Sequence, residues 1–405
     1  MKRLLAAAGA LMLLTGCGSS VSKTEESAAP AIAEATEAPT TAPPTEPPTE
    51  PPTEPPTEPP SKAELRLKEM SLHQKVCQMF IVVPEAFTGF DAISWTPEQN
   101  VLSYDEFPVG GFIFFAKNMI DSQQLGGLID SMQSSAMEQG TGAFMAVDEE
   151  GGSVTRVCQQ IGTPAVDSMR ILGDSGDPSR ARAAGETIGD YLFGLGFNLD
   201  FAPVADVDIS WQNELGNRIF SSDPQVVSDM SAAFVEGLHE KGICATLKHF
   251  PGLGAGSGNT HYGTVVIDRS YEDLKETEFT AFSGGIAAGA DFVMVGHQIT
   301  TGSGEELPGD MSPVVVTNWL KGELGFDGIA VTDSHSMGAV ANVYPPGEAA
   351  VMSISAGIDL ILMPADLPSA VSGVEQAVQT GRLSEERIDE SVLRILAKKE
   401  AMGLL

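Results

Sequence analysis

Basic side chains, cysteine and long apolar runs are all scarce in this 405-residue sequence. Only 23 Lys and Arg stand against 55 Asp and Glu, a formal charge of −32. Setting aside the eight Glu and one Lys of residues 18–60, together with Lys2 and Arg3, leaves −27 on residues 61–405. A shell that acidic repels phosphate backbones, so nucleic acid is excluded as an expected partner and the charge otherwise reports solubility. The four cysteines show no Cys-x-x-Cys spacing, and no metal or redox site is expected from them. Cys77, Cys158 and Cys244 lie far apart in mainly apolar settings, which suits reduced, buried thiols rather than a disulfide framework. The glycines at 252–258 lack the Lys-Ser/Thr ending of a phosphate-binding loop, so no cofactor is expected either.

The N-terminus does have an apolar run, at residues 4–14, but it is too short to span a bilayer. Lys2 and Arg3 precede it and Leu14-Thr15-Gly16-Cys17 ends it, which gives the basic start, apolar centre and small-residue exit of an export signal. The exit resembles a bacterial lipobox. Residues 1–17 are therefore expected to be a signal peptide, with Cys17 lipidated and the chain held on the extracellular face of the bacterial membrane. Residues 18–60 have almost no large apolar side chains, and from Pro43 to Pro60 they repeat Pro-Pro-Thr-Glu. No core can form there, and extended prolines with mutually repelling glutamates predict a disordered, stiff tether.

Residues 61–405 contain no second linker and are read as one domain. Short apolar runs recur at 78–83, 109–115, 143–147, 197–201, 243–247, 291–295, 328–332 and 358–363. Most lack strict alternation, as expected of parallel strands covered on both faces. Helical spacing fills intervening stretches such as 121–137, 178–193, 224–241, 271–288 and 384–402. Eight strands alternating with helices predict a single (β/α)8 TIM-type barrel, with a doubly wound open sheet as the competing arrangement.

A barrel places its chemistry where strands end. Asp148-Glu149-Glu150-Gly151-Gly152 follows the third run, Lys248-His249 the fifth, His297 the sixth and Asp333 the seventh. Pro251 and Gly252 turn the chain at once, aiming Lys248 and His249 at the mouth. The loop that continues to His261 carries glycines at 252, 254, 256 and 258, and is expected to be mobile enough to swing His261 over a ligand.

Five stretches, taken in order, carry a family resemblance: 147–156 with Asp148-Glu149-Glu150, 198–207, 216–221 with Arg218, 248–252 with Lys248-His249-Phe250-Pro251-Gly252, and 331–339 with Thr332-Asp333-Ser334. Together they resemble glycoside hydrolase family 3, in the β-N-acetylhexosaminidase branch that acts on peptidoglycan fragments. The resemblance implies a retaining mechanism with Asp333 as nucleophile and His261 as acid/base, and sugar contacts from Asp148, Arg218, Lys248 and His249. Imidazole, with an ordinary pKa of about 6.5, suits a group that donates and then accepts a proton. The branch pairs this histidine with an aspartate two residues earlier, where this chain has Asn259. Asn259 is expected to orient the ring by a hydrogen bond but to supply no charge, a gap that Glu305 or Glu306 would have to fill.

The expected partners are a GlcNAc-terminated glycan or muropeptide and, through Cys17, the membrane, with the protein a monomer. Three alternatives stay open: a phosphorylase using phosphate in place of water, a β-glucosidase, and a non-catalytic glycan-binding lipoprotein.

Overall fold

The computed structural model describes residues 59–96 and 102–405; Cys17 and the expected tether up to residue 58 lie outside them. Eight short parallel strands form the centre: β1 (Phe80–Val82), β2 (Gly111–Ile113), β3 (Phe144–Val147), β4 (Leu199–Asp200), β5 (Cys244–Phe250), β6 (Phe292–Val295), β7 (Ile329–Thr332) and β8 (Ile361–Leu362). Each pairs with the next, β8 returns to β1 through Phe80 and Ile361, and a parallel bridge from Val331 to Leu360 joins β7 to β8. This is the expected (β/α)8 barrel. An open sheet would have left two edges without partners.

The strands are buried along their whole length, which explains why the sequence shows continuous apolar runs rather than alternation. Inside the barrel, Phe144 of β3 meets Phe292 of β6 edge to face at 5.3 Å. The end of the last helix, Glu385–Ala401, plugs the barrel floor. Its Lys399 is fully buried, lies 5.0 Å from the Phe144 ring and donates to Gln78 Oε1 at 2.7 Å. Burial without a counter-charge holds that ammonium well below its usual range.

Several helices begin as their sequences dictate. Asp177 and Asp223 cap Pro178–Gly194 and Pro224–Glu240, each accepting a backbone N–H from two residues on, with proline in the first turn. These two helices cross closely enough that a Cβ on Gly185 would meet Phe234 O at 2.4 Å. Cys77 and Cys244 are buried free thiols and Cys158 is a partly buried one. Among the described residues no helix is long and apolar enough to cross a membrane.

One element was not anticipated. Val266–Ile267 and Ile299–Thr300 pair as a two-stranded parallel ribbon above the barrel. Two-residue strands are too short to leave a periodic signal.

Candidate active site

The strand ends of β3, β5 and β7 open into a cavity of about 440 Å³. Asp148, Arg218, Lys248, His249, His261 and Asp333, all expected at a site, line it together. Adjacent residues of a strand normally face opposite ways, yet Lys248 and His249 both face this cavity. The pairing of β5 with β6 shifts between Lys248 and Phe250, a bulge in which His249 is the extra residue and the Lys248–His249 peptide is cis.

The wall is a buried charge cluster. Lys248 Nζ reaches Asp148 Oδ1 at 2.9 Å and Glu150 Oε1 at 2.6 Å. Arg218 donates to both oxygens of Glu150, at 2.8 and 2.7 Å. Burial would raise the Glu150 carboxyl, but Lys248 and Arg218 outweigh it and hold the group down at about 2. Burial opposes the charge on Lys248 as well, and Asp148 and Glu150 more than restore it. Glu149, between them, points elsewhere: it accepts the N–H groups of Val157 and Cys158 at 2.8 and 2.9 Å, and the Tyr191 hydroxyl. Asp206 orients His249, accepting from Nδ1 at 2.8 Å and from the His249 and Leu253 backbone.

Asp333 begins the loop after β7, and its Oδ1 accepts the Ser334 N–H at 2.7 Å. Burial would raise its carboxyl; the nearby imidazoles of His249 and His297 reverse this and keep it below the usual carboxylate range. Behind it lies a buried relay. Burial disfavours a charge on His297, but Asp310 lifts the imidazole to about 9, so at neutral pH it donates from Nδ1 to Asp310 at 3.0 Å and from Nε2 to the Ser334 carbonyl at 2.9 Å. Asp310 also accepts from His335 Nε2 and Ser353 Oγ, each at 2.9 Å. His335 is shifted the other way, held below its usual range chiefly by burial, and its Nδ1 is buried with no partner among the described residues.

His261 departs from expectation. The loop is docked rather than loose: Gly338 and Ala339 donate to the carbonyls of His261 and Thr260 at 2.9 and 3.2 Å. The glycine at 254 serves close packing, since a Cβ there would lie 1.9 Å from Val207 O. Asn259 Oδ1 accepts the backbone N–H of His261 at 2.9 Å instead of a ring hydrogen. Among the described residues the ring makes no hydrogen bond, and Glu305 turns instead to Ser312 Oγ. A short polar side chain two residues before a backbone donor closes this turn more readily than it reaches a ring.

Glu150, Asp206 and Asp310 carry site charge without having been singled out. For Glu150 the signal was available, because it shares the acidic triplet with Asp148 and lies two residues on. Asp310 stands alone in a single 3-10 turn, Gly309–Met311, and gives none.

Residues 71–397 match the family model described as the glycosyl hydrolase family 3 N terminal domain. A beta-hexosaminidase from Stenotrophomonas maltophilia is 35% identical over 279 residues, covering 66% of this chain and 78% of that protein. Beta-hexosaminidase A from Pseudoalteromonas piscicida is 30% identical, covering 75% of this chain but 55% of its own length. Among solved structures, a family 3 beta-N-acetylglucosaminidase from Paenibacillus sp. superposes with a TM-score of 0.76 at 34% identity, covering 83% of this chain and 63% of that one. The chain thus spans little more than half of some relatives. Its barrel, strand-end charge cluster and matched residues nevertheless agree on one assignment: the chain belongs to glycoside hydrolase family 3.

Proposed function

We propose that this barrel is a retaining exo-β-N-acetylglucosaminidase, releasing non-reducing terminal N-acetylglucosamine from β-linked wall glycan fragments outside the membrane, on a lipid carried by Cys17. The observation that carries the reading is an ionised Asp333 in the same cavity as His261, with the two loops hydrogen-bonded to each other. The names of the relatives support the choice of sugar.

In the first step a carboxylate oxygen of Asp333 bonds to the anomeric carbon, the glycosidic bond breaks, and His261 gives its proton to the departing oxygen. Water then attacks the glycosyl-enzyme, His261 takes the proton, and Asp333 is released. Lys248 has a third ammonium hydrogen beyond its two carboxylate partners, and Arg218 has donors beyond its fork to Glu150. Those donors and Asp148 suit the hydroxyls of a sugar.

The test compares aryl β-N-acetylglucosaminide with aryl β-glucoside, each with and without added phosphate. Preference for the N-acetylglucosaminide with water as acceptor is expected. Asp333→Asn should lower kcat by roughly 10⁴-fold while the fold survives. Preference for the glucoside, sugar 1-phosphate as the product, or turnover undiminished in Asp333→Asn would each defeat the proposal.

A further inference from the structure

Glu214 lies outside the five stretches that carry the resemblance, yet it lines the cavity. Its Oε1 accepts both hydrogens that Thr260 offers, from the backbone N–H at 3.1 Å and from the hydroxyl at 2.9 Å. Thr260 is only 3% exposed, so water does not readily replace that acceptor. Glu214 itself projects from a held backbone. Asn213 Oδ1 accepts the N–H groups of Leu215 and Gly216 at 3.0 and 2.9 Å, and Leu215 packs in a small apolar cluster with Leu253, Val265 and Ile267 of the facing loop.

The segment 259–261 is therefore a bridge with two supports. Gly338 and Ala339, on the loop that carries Asp333, hold its carbonyls, and Glu214 holds Thr260 from the loop after β4. Asn259 closes the turn between them. We infer that Glu214 is a positioning residue for His261: by pinning Thr260 it sets the imidazole over the cavity. The inference rests on the reading of His261 as acid/base. Without Glu214 the bridge is left on the side of Gly338 and Ala339 and pivots about it. Proton delivery then suffers, while attack by Asp333 does not.

Leaving groups separate those two effects. Dinitrophenyl β-N-acetylglucosaminide departs without a proton, whereas the phenyl glycoside needs one, and kcat/KM reports the first bond cleavage in both. Glu214→Ala is expected to lose about tenfold or more on the phenyl substrate and under about threefold on the dinitrophenyl one. Glu214→Gln keeps an oxygen that accepts both Thr260 hydrogens, and should stay within about threefold of wild type on each. Glu214→Asp keeps the charge but not the reach, and should repeat the Ala pattern should the Ala variant fail to fold. Equal loss on both substrates, loss on neither, or a Gln variant as impaired as Ala overturns the inference. If wild type cleaves neither glycoside, the functional reading falls and this inference with it. An active wild type, an inactive Asp333→Asn and an unaffected Glu214→Ala defeat the inference alone.

Discussion

On the wall of the cavity, Lys248 is 2% exposed and touches two carboxylates, and Glu150 is 1% exposed and touches two cations. On the rim, His261 is exposed, and among the described residues only its backbone is held. The wall thus fixes ionisation by burial and charge pairing. The rim fixes position and leaves its ring to solvent and ligand. A retaining glycosidase, the reading proposed above, would use both: its nucleophile must be ionised at the moment of attack, and its acid/base must change protonation state twice. The contrast predicts that damage to the wall costs stability, whereas damage to the rim costs turnover alone.

The largest expected effect is on the wall. Glu150→Gln leaves Lys248 and Arg218 without their shared anion, and should lower unfolding free energy by about 3–5 kcal/mol in a denaturant titration. A loss below about 1 kcal/mol would break the comparison at its base. Next comes the His297 relay. Its imidazole is raised in the fold, so its contribution is complete below pH 6.5 and is lost as pH rises through about 9. Stability should fall by roughly 3 kcal/mol across that window. His297→Gln should flatten that limb, and a variant that still shows it would locate the pH dependence elsewhere.

On the rim, His261→Ala should cost roughly 100-fold in kcat/KM on a phenyl glycoside while leaving stability within about 0.5 kcal/mol. A lowered melting temperature would show that the ring belongs to the fold. The smallest effect is Asn259→Asp. Aspartate can close the same turn and adds charge beside the imidazole, so the alkaline limb of kcat/KM should move to higher pH with a severalfold gain. An unmoved limb would show that position 259 serves the turn alone.

The eight strands were legible because strands buried on both faces must be continuously apolar, and Phe144-Met145-Ala146-Val147 and Phe292-Val293-Met294-Val295 are. Strand-end residues were legible for a related reason, since a polar pair such as Lys248-His249 directly after an apolar run has only the barrel mouth to enter. Pairing was harder to read. Nothing near Lys248 announces that Asp148 and Glu150, about a hundred residues earlier, will hold it, and Glu214 sits in a loop and Asp310 in a single 3-10 turn, both without periodicity. The glycines after Gly252 misled in an instructive way: the same residue type permits freedom or close approach, and the surrounding atoms decide which.

The bulge at His249 can also be seen as a frameshift. A pleated strand is read in a two-letter frame, inward and outward by turns, and Leu247 reads outward, against the helix at Gly285. In an unbroken frame His249 would follow it into the apolar layer, and Phe250 would point into the mouth. The extra residue resets the count, so Phe250 instead stacks on Phe279 and meets Phe282 edge to face in the helical shell. Flattening the bulge with every residue kept would exchange the two side chains, burying an imidazole among aromatic rings and filling the cavity with a phenyl ring.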